Sequence, residues 1–106
     1  MIRFSNPTKQ QMASGNESLE LTEEGNWETF PPFAEKYVQQ IGANILNRIE
    51  TPVMHLWEIE YEGAALYFVY DDFPNGVSVE PQNQEGNAAI EKLYQQALQE
   101  RSADGL

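Results

Sequence analysis

Hydrophobic and polar residues alternate most regularly between Val53 and Tyr70. In the first half of this stretch, aromatic and β-branched residues take odd positions while glutamates take positions 58, 60 and 62, which is typical of a strand with one buried face. Gly63 tolerates a positive φ, so Glu62-Gly63 can form the turn of a hairpin. The predicted hairpin has these inward pairs: Tyr61 with Ala64, Ile59 with Leu66, Trp57 with Phe68, and His55 with Tyr70. A slip of one residue would turn the partners of each pair to opposite faces, so the pattern fixes the register.

Two elements are predicted before this hairpin. Residues 18–22 alternate in the same way and predict a short strand that suits a sheet edge. Residues 31–41 carry apolar side chains at helical spacing, with Thr29 at the N-cap position and Gly42 where a left-handed C-cap is expected. The chain therefore enters the hairpin region from a helix with defined ends.

Residues 43–50 are compatible with two structures. They can continue the preceding helix, or they can form a strand with Ile45 and Ile49 on its inner side. Gly42 and the β-branched isoleucines favour the strand.

The last part of the chain predicts a strand and a second helix. Residues 77–80 alternate as a strand that ends at Pro81. Asn83 or Asn87 then caps a helix whose apolar residues form a single stripe. That stripe consists of Ala89, Ile90, Leu93, Tyr94, Ala97 and Leu98.

These elements predict an α+β fold, a two-layer sandwich in the order β-α-β-β-β-β-α. An antiparallel meander sheet of four to five strands carries both helices on one face. Residues 18–101 form the single domain. Residues 1–17 are predicted to be a mobile N-terminal tail, because 5–17 are polar and show neither hydrophobic period. Residues 102–106 are predicted to fray.

Charge is the outlying feature of the composition. The chain has 17 acidic and 6 basic residues, which gives a formal net charge of −11. Such a surface repels a phosphate backbone, so it argues against direct nucleic-acid binding and against anionic membranes. It either keeps the protein soluble or meets a protein partner that is basic. Oligomeric state stays open.

The chain contains no cysteine, which excludes a disulfide framework and a thiolate zinc site and fits a reducing compartment. No apolar run is long enough to span a membrane, and the first ten residues lack the apolar core of a signal peptide. A cytoplasmic location is therefore predicted.

His55 is the single histidine, so every histidine-dependent catalytic relay must use it. A lone imidazole in a strand is more often a structural group, and the chain has no nucleophile elbow, phosphate loop or zinc motif. No catalytic residue, cofactor or metal is therefore predicted, and an enzyme is disfavoured. The competing possibility is a ligand pocket formed by His55, Tyr70 and Asp71.

The face of the hairpin opposite the core is predicted to be exposed or nearly so. Glutamates two apart on a strand lie about 7 Å from one another, and an open row of this kind is solvated rather than a cation site. A large aromatic among glutamates can anchor an interface rimmed by charge. The candidate partner surface is Leu56, Glu58, Glu60, Tyr67 and Val69. Trp27 either packs beneath the first helix or contributes an exposed aromatic contact.

The runs WETFPPFAEKYVQQIGA and HLWEIEYEGAALYFVYDDF resemble a small family of bacterial proteins, about a hundred residues long, that carry a domain of unknown function. The resemblance covers residues 19–80 and rests on the placement of Trp27, Pro31, Trp57 and Tyr67. It implies no activity and no catalytic residue.

The leading functional hypothesis is a non-catalytic protein-protein interaction module. A narrower alternative is an inhibitor or immunity-type protein that blocks a basic nucleic-acid-binding site by mimicking phosphates. The alternative from another class is a small-ligand binder or enzyme with its pocket near His55.

Overall fold

The computed structural model describes residues 7–22, 27–72 and 75–104. The strands are β1 (Thr8–Gln11), β2 (Glu17–Thr22), β3 (Asn44–Thr51), β4 (Met54–Tyr61), β5 (Ala64–Asp72) and β6 (Asn75–Pro81). The helices are α1 (Phe30–Ile41) and α2 (Asn87–Asp104), and a 3₁₀ turn at Gln84–Gly86 precedes α2.

All strand pairs are antiparallel, and the described part of the chain forms one six-stranded sheet in the order β1-β2-β6-β5-β4-β3. The α+β class and the antiparallel sheet are therefore confirmed, but the predicted count of four to five strands is wrong. The additional strand is β1, which lies inside residues 1–17, the predicted tail. Its residues are polar, and it joins the sheet through backbone pairing with β2, which a hydrophobic period does not reveal.

The central hairpin has the predicted register, with Trp57 opposite Phe68 and His55 opposite Tyr70. Its turn has positive φ at both Glu62 (51°) and Gly63 (84°). Positive φ at both central residues is the geometry of a type I′ turn, whose twist matches that of the flanking strands. The turn chemistry and the side-chain alternation thus specify the same register.

Helix α1 ends as predicted and begins differently. Gly42 adopts φ 76°, and its N–H donates to the carbonyl of Gln39, which closes the helix. Thr29 lies at the N-cap position, but its side chain accepts no cap hydrogen bond. A capping side chain accepts from the second or third helical N–H, and here those positions are Pro31 and Pro32, which have none.

At the second helix, Asn83 and Asn87 have separate roles. The Asn83 side chain accepts from the N–H of Glu85 and starts the 3₁₀ turn, not α2 itself. Asn87 is the first residue of α2. Its side chain accepts from the N–H of Glu17 at 3.0 Å and donates to the side chain of Asn16 at 3.1 Å. Asn87 therefore ties the start of α2 to the start of β2.

Residues 44–51 form a strand, which confirms the preferred interpretation of this region, but the predicted inward pair is wrong. Ile45 lies opposite Ile59, whereas Ile49 lies opposite Leu56. The register shifts between Ile45 and Asn47, as in a β-bulge, and the extra residue moves Ile49 to the other face of the sheet.

One buried cluster joins the sheet to both helices. We call the face of the sheet that carries Trp57, Ile59, Leu66 and Phe68 the inner face, and the opposite one the outer face. The inner face supplies these residues to a cluster that also contains Phe30, Ala34, Tyr37 and Val38 of α1 and Ile90, Leu93 and Ala97 of α2. No helix in the described ranges is long and apolar enough to cross a membrane.

Candidate functional site

His55 is fully buried on the inner face of β4. Its ring centroid lies 4.5 Å from that of Trp27 and 5.1 Å from that of Phe30. Tyr70 lies opposite in β5, with its ring centroid 6.2 Å away. Asp71 follows Tyr70 and therefore faces the other side of the sheet. Of the predicted pocket residues, the structure brings His55 and Tyr70 together and separates Asp71 from them.

The hydrogen bonding of His55 fixes the position of one proton. Nε2 lies 2.8 Å from the carbonyl oxygen of Trp27. Because a carbonyl only accepts, Nε2 carries the hydrogen and donates it. Nδ1 is buried without a hydrogen-bond partner and lies 3.5 Å from Oε1 of Glu50. The imidazole therefore fastens the segment before α1 to β4, which is a structural role.

Trp27 is partly packed and partly exposed, so that each of its two predicted roles applies to part of the side chain. One face of its indole packs on His55, while 40% of the residue remains exposed. Its Nε1 donates to the carbonyl oxygen of Thr51 at 2.9 Å. Trp27 is thus held at the end of β3 and contributes apolar surface there.

A cleft lies at the other end of the hairpin. It is an open cleft of about 300 Å³ around the turn at Glu62 and Gly63, bounded by Asn83 and Glu85. The ammonium of Lys92 lies 2.6 Å from a carboxylate oxygen of Glu62. Within the described residues, no group of three or more acidic or histidine side chains is placed to hold a metal ion. Neither a buried acid nor a converging set of ligands equips this cleft for chemistry.

The predicted partner surface is continuous, but less exposed than expected. Its residues form cross-strand pairs on the outer face, Leu56 with Val69 and Glu58 with Tyr67. Val69 is only 7% exposed. Leu56, Glu58 and Tyr67 are half-buried, and Glu60 is exposed. The expectation of an exposed face is therefore wrong for Val69.

Exposed hydrophobic surface is concentrated elsewhere, along the outermost strand β3. The exposed large hydrophobic residues in the described ranges are Trp27 (40%), Leu46 (61%), Ile49 (43%) and Val53 (56%). Leu46 and Ile49 belong to β3, Val53 to the turn that follows it, and Trp27 is bonded to its last residue. We call these four residues, together with the unpaired side of β3, the β3 edge. The sequence signal for it was Leu46, an apolar residue on the predicted polar side of the strand.

Charged residues of β3 lie beside this apolar surface. After the bulge, Arg48 and Glu50 pair with Trp57 and His55 on the inner face, yet their side chains remain 45% and 44% exposed. The Arg48 guanidinium lies 4.3 Å from the centre of the Trp57 ring, and its Nη1 lies 3.3 Å from Oε1 of Glu35. The two opposite charges thus flank Ile49 along the strand.

Residues 8–99 match the model of a family described as "Protein of unknown function (DUF3630)". The match covers most of the chain, so the chain belongs to this family, which confirms the resemblance to a family of unknown function. No curated protein and no solved structure matches the chain at a significant level.

Proposed function

We propose that this member of the DUF3630 family is a non-catalytic protein-interaction module that binds its partner along the β3 edge. The observation that carries this is the distribution of exposed apolar surface. Leu46, Ile49 and Val53 are each more than two-fifths exposed, and all lie on β3 or its turn. Concentrated apolar surface on an otherwise charged protein is typical of an interaction site.

The backbone of β3 supports the same function. An outermost strand has a row of N–H and C=O groups that no strand of its own sheet bonds, and these groups can pair with an added strand. β3 is eight residues long, which gives such a strand enough length to pair. Main-chain hydrogen bonds then supply affinity, while Leu46 and Ile49 supply apolar contact.

The outer face adds a second contact area next to this edge. Ile49 lies opposite Leu56, and Leu56 lies opposite Val69, so an apolar row runs across the outer face from the β3 edge toward the centre of the sheet. Glu58 and Glu60 border that row. We take both helices to cover the inner face, since both contribute to the cluster that holds Trp57 and Phe68, and this leaves the outer face accessible. The absence of cysteine fits action in the reducing cytoplasm.

Affinity capture with matched variants tests this function. Tagged wild-type protein, Ile49→Lys and Gln11→Lys would each be used on native lysate, with quantitative mass spectrometry of the retained proteins. Gln11→Lys adds the same charge to the opposite edge of the sheet. We expect wild type and Gln11→Lys to retain the same protein, whether another protein or the untagged chain, and Ile49→Lys to lose it. Equal retention by all three would contradict a role for the β3 edge.

A further inference from the structure

As a refinement that rests on the proposed function, we propose that the β3 edge binds a second copy of this chain. The two β3 strands pair antiparallel about a two-fold axis that passes beside Ile49. The two sheets then continue into one another across the axis. The argument depends on the order of residues along β3 and on which of them are exposed.

The regular part of β3 is self-complementary about Ile49. Beyond the bulge it comprises residues 47–51, and Ile49 is the middle one. In a two-fold antiparallel pair, each residue lies opposite the residue equally far from the axis on the other side. Ile49 therefore meets Ile49 of the second copy, Arg48 meets Glu50, and Asn47 meets Thr51. Symmetry produces each unlike pair twice, so the contact contains two pairs of opposite charge.

Neighbouring registers lack this complementarity. With the axis at Arg48, two guanidinium groups face each other, and with the axis at Glu50, two carboxylates do. Like charges directly opposite each other on adjacent strands are destabilising. A two-fold axis that passes between two residues is excluded. It would place a residue whose N–H and C=O point to the second copy opposite one whose N–H and C=O point back to its own β4, and such residues cannot pair. Among registers centred on residues 48–50, only Ile49 pairs unlike charges.

The side chains needed for this contact are accessible. Ile49 is 43% exposed, and the side chains of Arg48 and Glu50 are nearly half exposed. The present ion pair between Arg48 and Glu35 joins two half-exposed groups, so it contributes little and competes weakly. Leu46, at the bulge, approaches the turn of the second copy that carries Val53, which covers further apolar surface.

Net charge opposes this association without preventing it. Each copy carries a formal charge of −11, so two copies repel at low salt. At about 0.15 M salt the Debye length is about 8 Å, and charges remote from the contact are largely screened. The Arg48–Glu50 pairs lie within the contact itself, so they are screened less. Association is therefore tested near physiological salt.

Charge reversal gives a test specific to this register. The purified full chain, Arg48→Glu, Glu50→Arg and an equimolar mixture of the two variants would be examined by sedimentation equilibrium. We expect wild type to dimerise and each variant alone to bind itself at least tenfold more weakly, because both charge pairs become repulsive. The mixture should form a heterodimer, since reversed charges then face each other correctly, and native mass spectrometry with one isotope-labelled chain identifies it.

Crosslinking provides a measurement that does not disturb Arg48, which stacks on Trp57. The chain has no cysteine, so Ile49→Cys introduces a single thiol at the axis. Opposed residues on antiparallel strands have Cα atoms about 4.5 to 5.5 Å apart, which suits a disulfide. We expect Ile49→Cys to form a covalent dimer under mild oxidation much faster than Gln11→Cys on the opposite edge.

The outcomes separate this inference from the proposed function. A wild-type chain that stays monomeric at every attainable concentration overturns the second copy as the occupant. The proposed function would still hold if a different protein were captured and then lost with Ile49→Lys. A wild-type dimer that both charge variants retain, or a mixture that fails to associate, overturns the register. Equal crosslinking of Ile49→Cys and Gln11→Cys also overturns it.

Discussion

The two edges of the sheet are built in opposite ways. β1 is four residues long, polar, and covered on one side by interactions of Lys9. The Lys9 ammonium lies 2.6 Å from Glu91 of α2, 3.4 Å from Glu17 and 5.2 Å from the centre of the Tyr94 ring. β3 is twice as long, and exposed apolar residues lie along it. Short, lysine-bearing edge strands resist pairing with another chain, whereas long apolar ones invite it.

The edges also differ in what fastens them to the core. Near the β3 end, His55 lies between the rings of Trp27 and Phe30, and Trp57 meets Phe30 edge-on. We call these four rings the aromatic stack, of which only Trp27 is exposed. β1 is fastened to α2 by an ion pair between the half-buried Lys9 and the exposed Glu91. A buried aromatic stack contributes much more to stability than an exposed ion pair. The sheet beside the β3 edge therefore rests on buried aromatic rings, whereas β1 meets α2 through an ion pair and is otherwise paired with β2.

The largest expected effect follows from removing the centre of the aromatic stack. Phe30→Ala should lower the free energy of unfolding by about 3–5 kcal/mol, the usual cost of truncating a buried phenylalanine. Phe30 is 1% exposed, and its ring centroid lies 5.1 to 5.3 Å from those of His55, Trp57 and Phe68. Urea unfolding followed by circular dichroism measures the change.

Phe33→Ala is the matched control for this variant. Phe33 lies one turn further along α1 and is half-buried against Tyr37 and Phe68. Its truncation should cost less, because less apolar surface is lost. An equal or larger loss with Phe33→Ala would show that the core is not centred on the β3 end.

A smaller effect is expected from the hydrogen bond within the stack. His55→Phe keeps a flat ring between Trp27 and Phe30 but removes the donor to the Trp27 carbonyl. Because the bond is part-buried, we expect a loss toward the lower end of the about 1–3 kcal/mol that an unpaired buried acceptor costs. Urea unfolding would measure this loss. Trp27→Phe, which keeps a ring on His55 and removes the exposed donor to Thr51, should cost less, and the reverse order would contradict the assigned role of His55.

The contrast between the edges explains which parts of the fold the sequence could predict. The central hairpin was predictable because Trp57, Phe68 and the turn at Glu62-Gly63 all specify one register. β1 was not, because its contribution to the sheet comes from backbone pairing, which polar residues provide as well as apolar ones. A hydrophobic period reports burial, and β1 buries little.

The β3 edge was missed for a different reason. A strict alternation places Ile45 and Ile49 on the same face, but the bulge inserts one residue between them. Nothing in the residues of the bulge itself specifies this insertion, so Ile49 was expected in the core. The predicted surface of Leu56, Glu58, Glu60, Tyr67 and Val69 adjoins the β3 edge, so the neighbourhood was predicted but not its most exposed strand.

A third prediction separates binding from stability at the β3 edge. Ile49→Lys should change the free energy of unfolding of the monomer by no more than about 0.5 kcal/mol, since surface substitutions away from special features have small effects. Ile49 is already 43% exposed, and a lysine stem can cover the same surface. Thermal and urea unfolding at concentrations too low for association measure it. A loss as large as that of His55→Phe would show that Ile49 supports the fold and would remove it as a clean probe of the edge.

The smallest expected effect concerns the pH dependence of the contact between β1 and α2. Hydrogen bonding to Glu91 raises the pKa of Lys9 above its ordinary 10.5, and hydrogen bonding to Lys9 lowers the pKa of Glu91 below its ordinary 4.5. The contribution of Glu91 is present above 4.5 and is lost as pH falls through its lower folded-state pKa, whereas that of Lys9 is lost only as pH rises above 10.5. The attachment of β1 to α2 should therefore hold between these limits and weaken in acid.

Hydrogen exchange measures this attachment. Amide protection in β1 should fall as pH drops well below 4.5. The Lys9→Met variant should have low β1 protection already at neutral pH and should lose this pH dependence. Unchanged β1 protection in acid, or the same pH dependence in Lys9→Met, would mean that β1 is held by its backbone bonds to β2 and not by the ion pair of Lys9 with Glu91.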